Sequence, residues 1–174
     1  MSELVKALSL IRVIPDYPAP GILFQDITPI LADGPAFRAI TLEMAKEISA
    51  PVVIAGVEAR GFILAAAMAS LSGTGFVPIR KKGKLPFHTH SRSYGLEYGS
   101  DELEIHIDAF PNGGKVILVD DVLATGGTLL AAIELIEEAG GEVIEIRLLS
   151  EITELGGREK IHKLYPSIEI ISLI

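Results

Sequence analysis

An α/β fold with a mostly parallel central sheet flanked by helices is what the sequence predicts, on three observations. Strand-like apolar runs alternate with helix-like segments along the chain. The central runs, VVIA at 52–55 and VILV at 116–119, are continuously apolar, as strands covered on both faces are. The 174 residues, 49% hydrophobic and 22% charged, suffice for a single domain over 1–174 with a sizeable core.

The elements follow in order. Residues 2–13 predict a short amphipathic helix with Leu4, Ala7, Leu8 and Ile11 on one face. Pro15, Pro18 and Pro20 disfavour helix, so Pro15–Leu31 is expected to be extended. Helix resumes near Pro35 with the stripe Phe37, Ile40, Met44 and Ile48. A strand at 52–55, a helix at 61–71 and a strand at 76–79 come next. Residues 83–100 are polar and dotted with glycine, and are expected to form a mobile excursion. LEIHI at 103–107 alternates like an exposed strand. The strand at 116–119, its helix, a strand at 143–149, a helix around 153–163 and a strand at 169–173 complete the chain.

Composition narrows the function. Without cysteine there are no disulfides, thiolate metal sites or cysteine nucleophiles, which suits a reducing cytoplasm. The N-terminus lacks the basic, then apolar, pattern of a secretory signal. The uncharged run Gly61–Ile79 is broken by Ser70, Ser72, Gly73, Thr74, Gly75 and Pro78, so it reads as buried helix, turn and strand, not a membrane span. A net charge of −8 disfavours a nucleic-acid surface. Any polyanion needs a local site, and one basic cluster, Arg80, Lys81, Lys82 and Lys84, stands out.

In such sheets ligands bind beyond the carboxyl ends of the strands. After VILV come Asp120 and Asp121, then the loop Thr125-Gly126-Gly127-Thr128 and a helix with Leu129, Ile133 and Ile136 inward. A glycine pair at a helix N-terminus offers free backbone N–H groups and a favourable dipole to a phosphate, and the threonines add hydroxyl donors. Carboxylates would repel that phosphate unless they face other groups. Sugar hydroxyls, which donate where a carboxylate accepts, or a magnesium ion fit this role. The stretch therefore suits a ribose 5-phosphate. It is neither a P-loop nor GxGxxG. His88 and His90 have a spacing that some metal sites use, but no third ligand lies nearby in the sequence.

VILVDDVLATGGTL resembles the phosphoribosyl diphosphate (PRPP) motif of the type I phosphoribosyltransferases. PDYPAPGILFQDITPIL, AGVEARGF with IRKKGKLP, and YGLEYGSDELEIH resemble the adenine-using branch of that family, in its order, over about residues 10–160. The resemblance implies transfer of ribose 5-phosphate from PRPP to adenine with magnesium, giving AMP and pyrophosphate, in a homodimer. It implies a base-binding hood over residues 1–33. It also assigns residues: Ala124, Thr125, Gly126, Gly127 and Thr128 to the ribose 5-phosphate, and Asp120 and Asp121 to the ribose hydroxyls and the metal's water shell. Glu58, Ala59 and Arg60, with Arg80, Lys81 and Lys84, fall to the pyrophosphate, and no residue ligates the metal directly. Leu23, Phe24 and Gln25 fall to adenine, Phe24 by stacking. Glu97, in LEYG, is the implied general acid/base on a loop that closes over the base, with Tyr94 and Tyr98 as supports of that closure. Gln25 stands where the family commonly has arginine, which bears on base preference. Two alternatives remain: a relative acting on another purine, and a non-catalytic PRPP sensor.

Overall fold

The computed structural model describes residues 2–17, 19–48, 51–96 and 99–174. The chain divides into two compact units, Met1–Lys46 and Glu47–Ile174. Among the described residues no helix is long and apolar enough to cross a membrane.

In the first unit Ser2 caps helix α1 (Glu3–Leu8) by accepting a hydrogen bond from the Val5 amide at 3.2 Å. The helix stops well before residue 13, because Arg12–Pro15 is drawn out as strand β1 and pairs antiparallel with β2 (Leu23–Asp26). A ladder partner distant in sequence outweighs the helical spacing of Ile11. The passage expected to be extended also turns helical at its end. Pro29 sits in the first turn of α2 (Thr28–Ala32), where its missing N–H costs no hydrogen bond. Asp33 then caps α3 (Gly34–Met44), accepting from the Ala36 amide at 2.8 Å. Helices α1 and α2 pack on α3, with Ala7, Ile30, Ala36, Ile40 and Met44 buried. The expected stripe ends at Met44, and Ile48 lies past the helix.

The second unit is built, among its described residues, on a seven-stranded sheet. Its strands are β3 (Val52–Val57), β4 (Gly75–Lys81), β5 (Thr89–Leu96), β6 (Gly99–His106), β7 (Lys115–Leu123), β8 (Glu142–Glu151) and β9 (Glu169–Ser172). Their order is β5-β6-β4-β3-β7-β8-β9. The pairs from β4 through β3, β7 and β8 to β9 are parallel, and β6 runs antiparallel to both β4 and β5. The passage 83–100 thus contains a strand, which glycine and polarity had hidden. LEIHI supplies the end of β6 at 103–106, where Leu103 and Ile105 are wholly inaccessible, while Ile107 lies past the strand and is exposed.

Helix α4 (Arg60–Ser72) connects β3 to β4, and α5 (Gly127–Glu138) connects β7 to β8. The two connections leave the centre of the sheet in opposite directions. Right-handed crossovers then put α4 and α5 on opposite faces. The β3–β7 boundary is the switch point of the sheet, where the loops after the two strands part and leave a crevice. One core gathers Ala55, Val57, Val116 and Leu118 of the sheet with Leu129, Ile133 and Ile136 of α5 and Ile161 of α6 (Gly157–Leu164).

In the first unit Asp26 ties β2 to the start of α2 and to β1. Its Oδ1 accepts the Thr28 amide at 2.9 Å and the Thr28 hydroxyl at 2.7 Å, and Arg12 Nε reaches its Oδ2 at 3.0 Å. These bonds, the Thr28 hydroxyl first, hold the Asp26 carboxyl down to about 2. A depressed carboxyl stabilises the fold above its unfolded value of about 4, and that stability is lost as pH falls towards 2. Asp26→Asn is expected to lower the urea midpoint at pH 7. The gap from the unsubstituted chain should narrow between about pH 4 and pH 2; urea titrations across that range check it.

Candidate active site

β3 pairs with β7 only as far as Gly56 opposite Val119, whereas β8 follows β7 on to Leu123 opposite Glu151. Asp120 and Asp121 therefore lie within β7, not after it, at the point where one neighbouring strand falls away. Asp120 Oδ1 accepts the Asp121 amide at 2.9 Å. Asp120 is half-buried and Asp121 buried. Burial first, then the adjacent Asp121 charge, pushes the Asp120 carboxyl well above the ordinary carboxylate range. Burial raises Asp121 as well, against the pull of Arg60.

Arg60, the first residue of α4, pairs with Asp121 at 2.7 Å. The helix comes this close because position 61 is glycine. A Cβ there would stand 2.9 Å from both Asp120 Oδ1 and the Val119 carbonyl. The structure thus unites two residues that the sequence assigned to different ligands, a pyrophosphate for Arg60 and ribose hydroxyls for Asp121.

The loop Ala124-Thr125-Gly126 bends into α5. Gly126 is the N-cap, at φ 79°, a left-handed conformation suited to glycine, and no side chain caps the first turn. Nor does that turn carry an acidic residue. Its amides and dipole can receive an anion. From behind, the loop rests on Gly157, which sequence reasoning missed. A Cβ at 157 would collide with the Ala124 carbonyl and stand 3.0 Å from Gly126 N. The Gly156-Gly157 doublet was the available sign of a close backbone approach. Gly127 makes room for the β5–β6 hairpin: a Cβ there would meet the Gly95 carbonyl at 3.0 Å.

The second cluster lies after β3 and β4. The peptide between Glu58 and Ala59 is cis. Arg80 donates from Nε and Nη2 to the two Glu58 carboxylate oxygens, each at 3.1 Å, and from Nη1 to the Lys84 carbonyl at 3.1 Å. The Lys81 amide adds a bond to Glu58 at 3.0 Å. The Arg80 hydrogen bond, ahead of burial, leaves the Glu58 carboxyl below its usual range. Glu58 and Arg80 are therefore tied to each other, a brace joining the two loops. The Lys81 ammonium sits on Asp101 at 2.8 Å. The Lys84 and Lys82 side chains extend the basic edge, Lys82 paired with Glu102 at 2.8 Å.

Leu23, Phe24 and Gln25 lie on β2 in the first unit. Leu23 is exposed and Phe24 half-buried, its ring edge-on to Tyr17 with centroids 5.1 Å apart. Glu97 and Tyr98 lie outside the described residues.

Residues 29–171 match the phosphoribosyl transferase domain, the class that this fold and site define. The chain is 53% identical over 156 residues to the adenine phosphoribosyltransferase of Neorhizobium galegae, covering 88% of this chain and 86% of that one. It overlays the crystal structure of adenine phosphoribosyltransferase from Thermoanaerobacter pseudethanolicus with a TM-score of 0.90 at 49% identity, covering 98% of each chain. The Saccharomyces cerevisiae enzyme, solved with D-2,5-dideoxy-2,5-imino-altritol 1,6-bisphosphate and adenine, aligns at TM-score 0.89 and 35% identity over 99% of this chain and 98% of that one. The chain belongs to the phosphoribosyl transferase family and, within it, to the adenine phosphoribosyltransferases.

Two outcomes are expected from the geometry. Gly157→Ala should push the 124–126 loop out of place and raise the KM for PRPP by about tenfold or more, a misplacement effect; steady-state kinetics at varied PRPP check it. Asp120→Asn keeps the acceptor for the Asp121 amide but removes a charge that folding disfavours. The folded-state carboxyl is raised, so its cost to stability grows as pH climbs above the unfolded value. The variant should melt higher than the unsubstituted chain at pH 8 while turning over far more slowly, and the melting gap should shrink at pH 4. Calorimetry at both pH values, with the assay, checks it.

Proposed function

We propose that this protein transfers the 5-phosphoribosyl group of PRPP to adenine, releasing AMP and pyrophosphate, as a homodimer in the cytoplasm. One observation carries the reading: at the switch point of the sheet, paired carboxylates adjoin a glycine loop at a helix N-terminus, in a chain whose relatives are adenine phosphoribosyltransferases. The 5-phosphate binds the amides and hydroxyls of Ala124, Thr125, Gly126, Gly127 and Thr128. Asp120 and Asp121 accept hydrogen bonds from the ribose hydroxyls. The pyrophosphate goes to Ala59, Arg60, Lys81 and Lys84, with Glu58 and Arg80 bracing that side. Arg60 has a donor fork that can serve the leaving group as charge develops on it.

In the reaction the bond from ribose C1 to the pyrophosphate oxygen breaks, and C1 bonds to an adenine ring nitrogen. Glu97 handles the proton on the imidazole ring of the base. Phe24 stacks on the adenine, and backbone groups near Leu23 and Gln25 read its edge. Neutral adenine asks for no charged partner, which suits glutamine at position 25.

Magnesium fits this donor set through water. Two carboxylates, one already facing Arg60, offer outer contacts to a hard cation. When bound, the ion neutralises charge on the diphosphate.

The test is an assay with PRPP, magnesium and each of adenine, hypoxanthine, guanine and xanthine, following nucleotide and pyrophosphate together. Adenine-dependent AMP formation is expected, and Asp121→Asn combined with Thr125→Ala should abolish it. Glu97→Leu should lower kcat by roughly 10²–10⁴-fold with an unchanged melting temperature. Turnover of an oxo-purine instead would overturn the roles of Phe24 and Gln25. PRPP binding without turnover of any base would favour a sensor.

A further inference from the structure

The backbone that supports the glycine loop from behind is itself fixed by an ion pair that the proposed reaction does not use. Between β8 and α6 the chain makes a short excursion, residues 152–157, with a 3-10 turn at Thr153–Leu155. Glu151, the last residue of β8, and Arg158, the second residue of α6, close this excursion at its neck. Arg158 Nε donates to Glu151 Oε1 at 3.0 Å and to Oε2 at 2.9 Å, and Nη2 also meets Oε2. Arg158 reaches β9 as well, through Nη1 to the Ile170 carbonyl at 2.8 Å and Nη2 to the Ser172 hydroxyl at 3.4 Å. The Glu151 side chain is only 7% exposed, so this is a fixed joint and not a surface ion pair. A cation in the first turn of a helix is opposed by the helix dipole, so Arg158 owes its place to these acceptors. Immediately before it comes Gly157, whose backbone lies against Ala124 and Gly126: a Cβ at 126 would stand 3.0 Å from the Gly157 carbonyl. At the other end of the excursion the Ile152 amide donates to the Leu123 carbonyl at 2.8 Å, one residue ahead of the loop.

We infer that Arg158 and Glu151 are positioning residues for the ribose 5-phosphate seat: their joint holds the Gly157 backbone against Ala124 and Gly126, and so sets where the loop amides converge. The inference rests on the assignment of the 5-phosphate to residues 124–128 and deepens it. Neither side chain touches the phosphate in this scheme. An arginine near a phosphate seat invites the opposite reading, in which it binds the anion itself. Here its Nε, Nη1 and Nη2 are already directed at Glu151, Ile170 and Ser172. Removing Arg158 leaves the Glu151 carboxylate buried without a partner, and a buried unpaired charge turns to water at the expense of its surroundings. Removing Glu151 leaves Arg158 at a helix start that repels it. Either change opens the neck and moves Gly157 off the loop. An anion held by several converging amides is sensitive to small displacements of any of them. The pyrophosphate side, on the loops after β3 and β4, is braced separately by Glu58 and Arg80 and takes no part in this joint.

The experiment is calorimetric titration of the full chain with ribose 5-phosphate and, separately, with magnesium pyrophosphate. Arg158→Ala and Glu151→Ala should each weaken ribose 5-phosphate binding by about tenfold or more. Both should bind magnesium pyrophosphate within about 2-fold of normal, as expected for a distant, independent site. The double variant should lose no more than the worse single one, because the two residues act as a unit. Arg158→Lys keeps the charge but not the fork, and should fall between Arg158→Ala and the unsubstituted protein; it carries the test if Arg158→Ala does not fold, with Glu151→Gln in the same role for Glu151. The sign of the Glu151→Ala effect separates positioning from direct binding. If Arg158 were itself a phosphate ligand, removing its carboxylate would free it and tighten ribose 5-phosphate. That result would overturn the inference, as would normal ribose 5-phosphate binding in either variant, or losses that simply multiply in the double variant. All three leave the 5-phosphate seat as assigned. Failure of the unsubstituted protein to bind ribose 5-phosphate would instead overturn the seat, and the inference with it.

Discussion

The ion pair between Arg60 and Asp121 spans the switch point of the sheet, and the rest of the site depends on the closeness it needs. The arginine opens α4 and the carboxylate belongs to β7, so helix and strand must meet almost backbone to backbone. Two glycines permit this. Gly61 leaves room for Val119 and Asp120, and Gly56 leaves room for Ala65 and Phe76. A methyl group at either position would move α4 outward and leave a buried carboxylate without its partner, which costs far more than a surface ion pair would contribute. Arg60 offsets part of the Asp121 charge, a condition under which a phosphate seat can lie a few residues further on.

That seat is held from two sides. Gly157 brings the backbone of α6 against Ala124 and Gly126 from within the unit, and the β5–β6 hairpin brings Gly95 against Gly127. Where a loop must wrap an anion, the contacts that fix it are themselves made by glycines, because any side chain would push the loop away from its support. The basic edge obeys a different logic. Arg80 spends its donors on Glu58 and a carbonyl, and so sets the geometry of the loops. Lys81 instead sets its ammonium on the Asp101 carboxylate of the neighbouring strand.

Much of this was legible along the chain. The continuous apolar runs marked the inner strands, and the carboxylate pair, glycine loop and helix could be read in order because their geometry is local. The shorter reach of α1 and the strand at Thr89–Leu96 were not legible. In both, pairing with a distant segment overrode the local pattern, as Arg12 pairs with Asp26 and Arg92 with Leu103. LEIHI looked half-exposed by its alternation, and Leu103 and Ile105 proved to be core because a helix covers their face.

The sequence by itself determined the kind of chemistry: an anion seat at a helix N-terminus, acceptors for hydroxyls next to it, and cations nearby in an acidic chain. Those properties reside in residue types and short spacings. Only the tertiary structure decided which charges face one another: Arg60 with Asp121, Arg80 with Glu58, Lys81 with Asp101. Such pairings join residues 20 to 61 positions apart in the chain, and Coulomb attraction acts on distance in space, which the order of strands in the sheet sets.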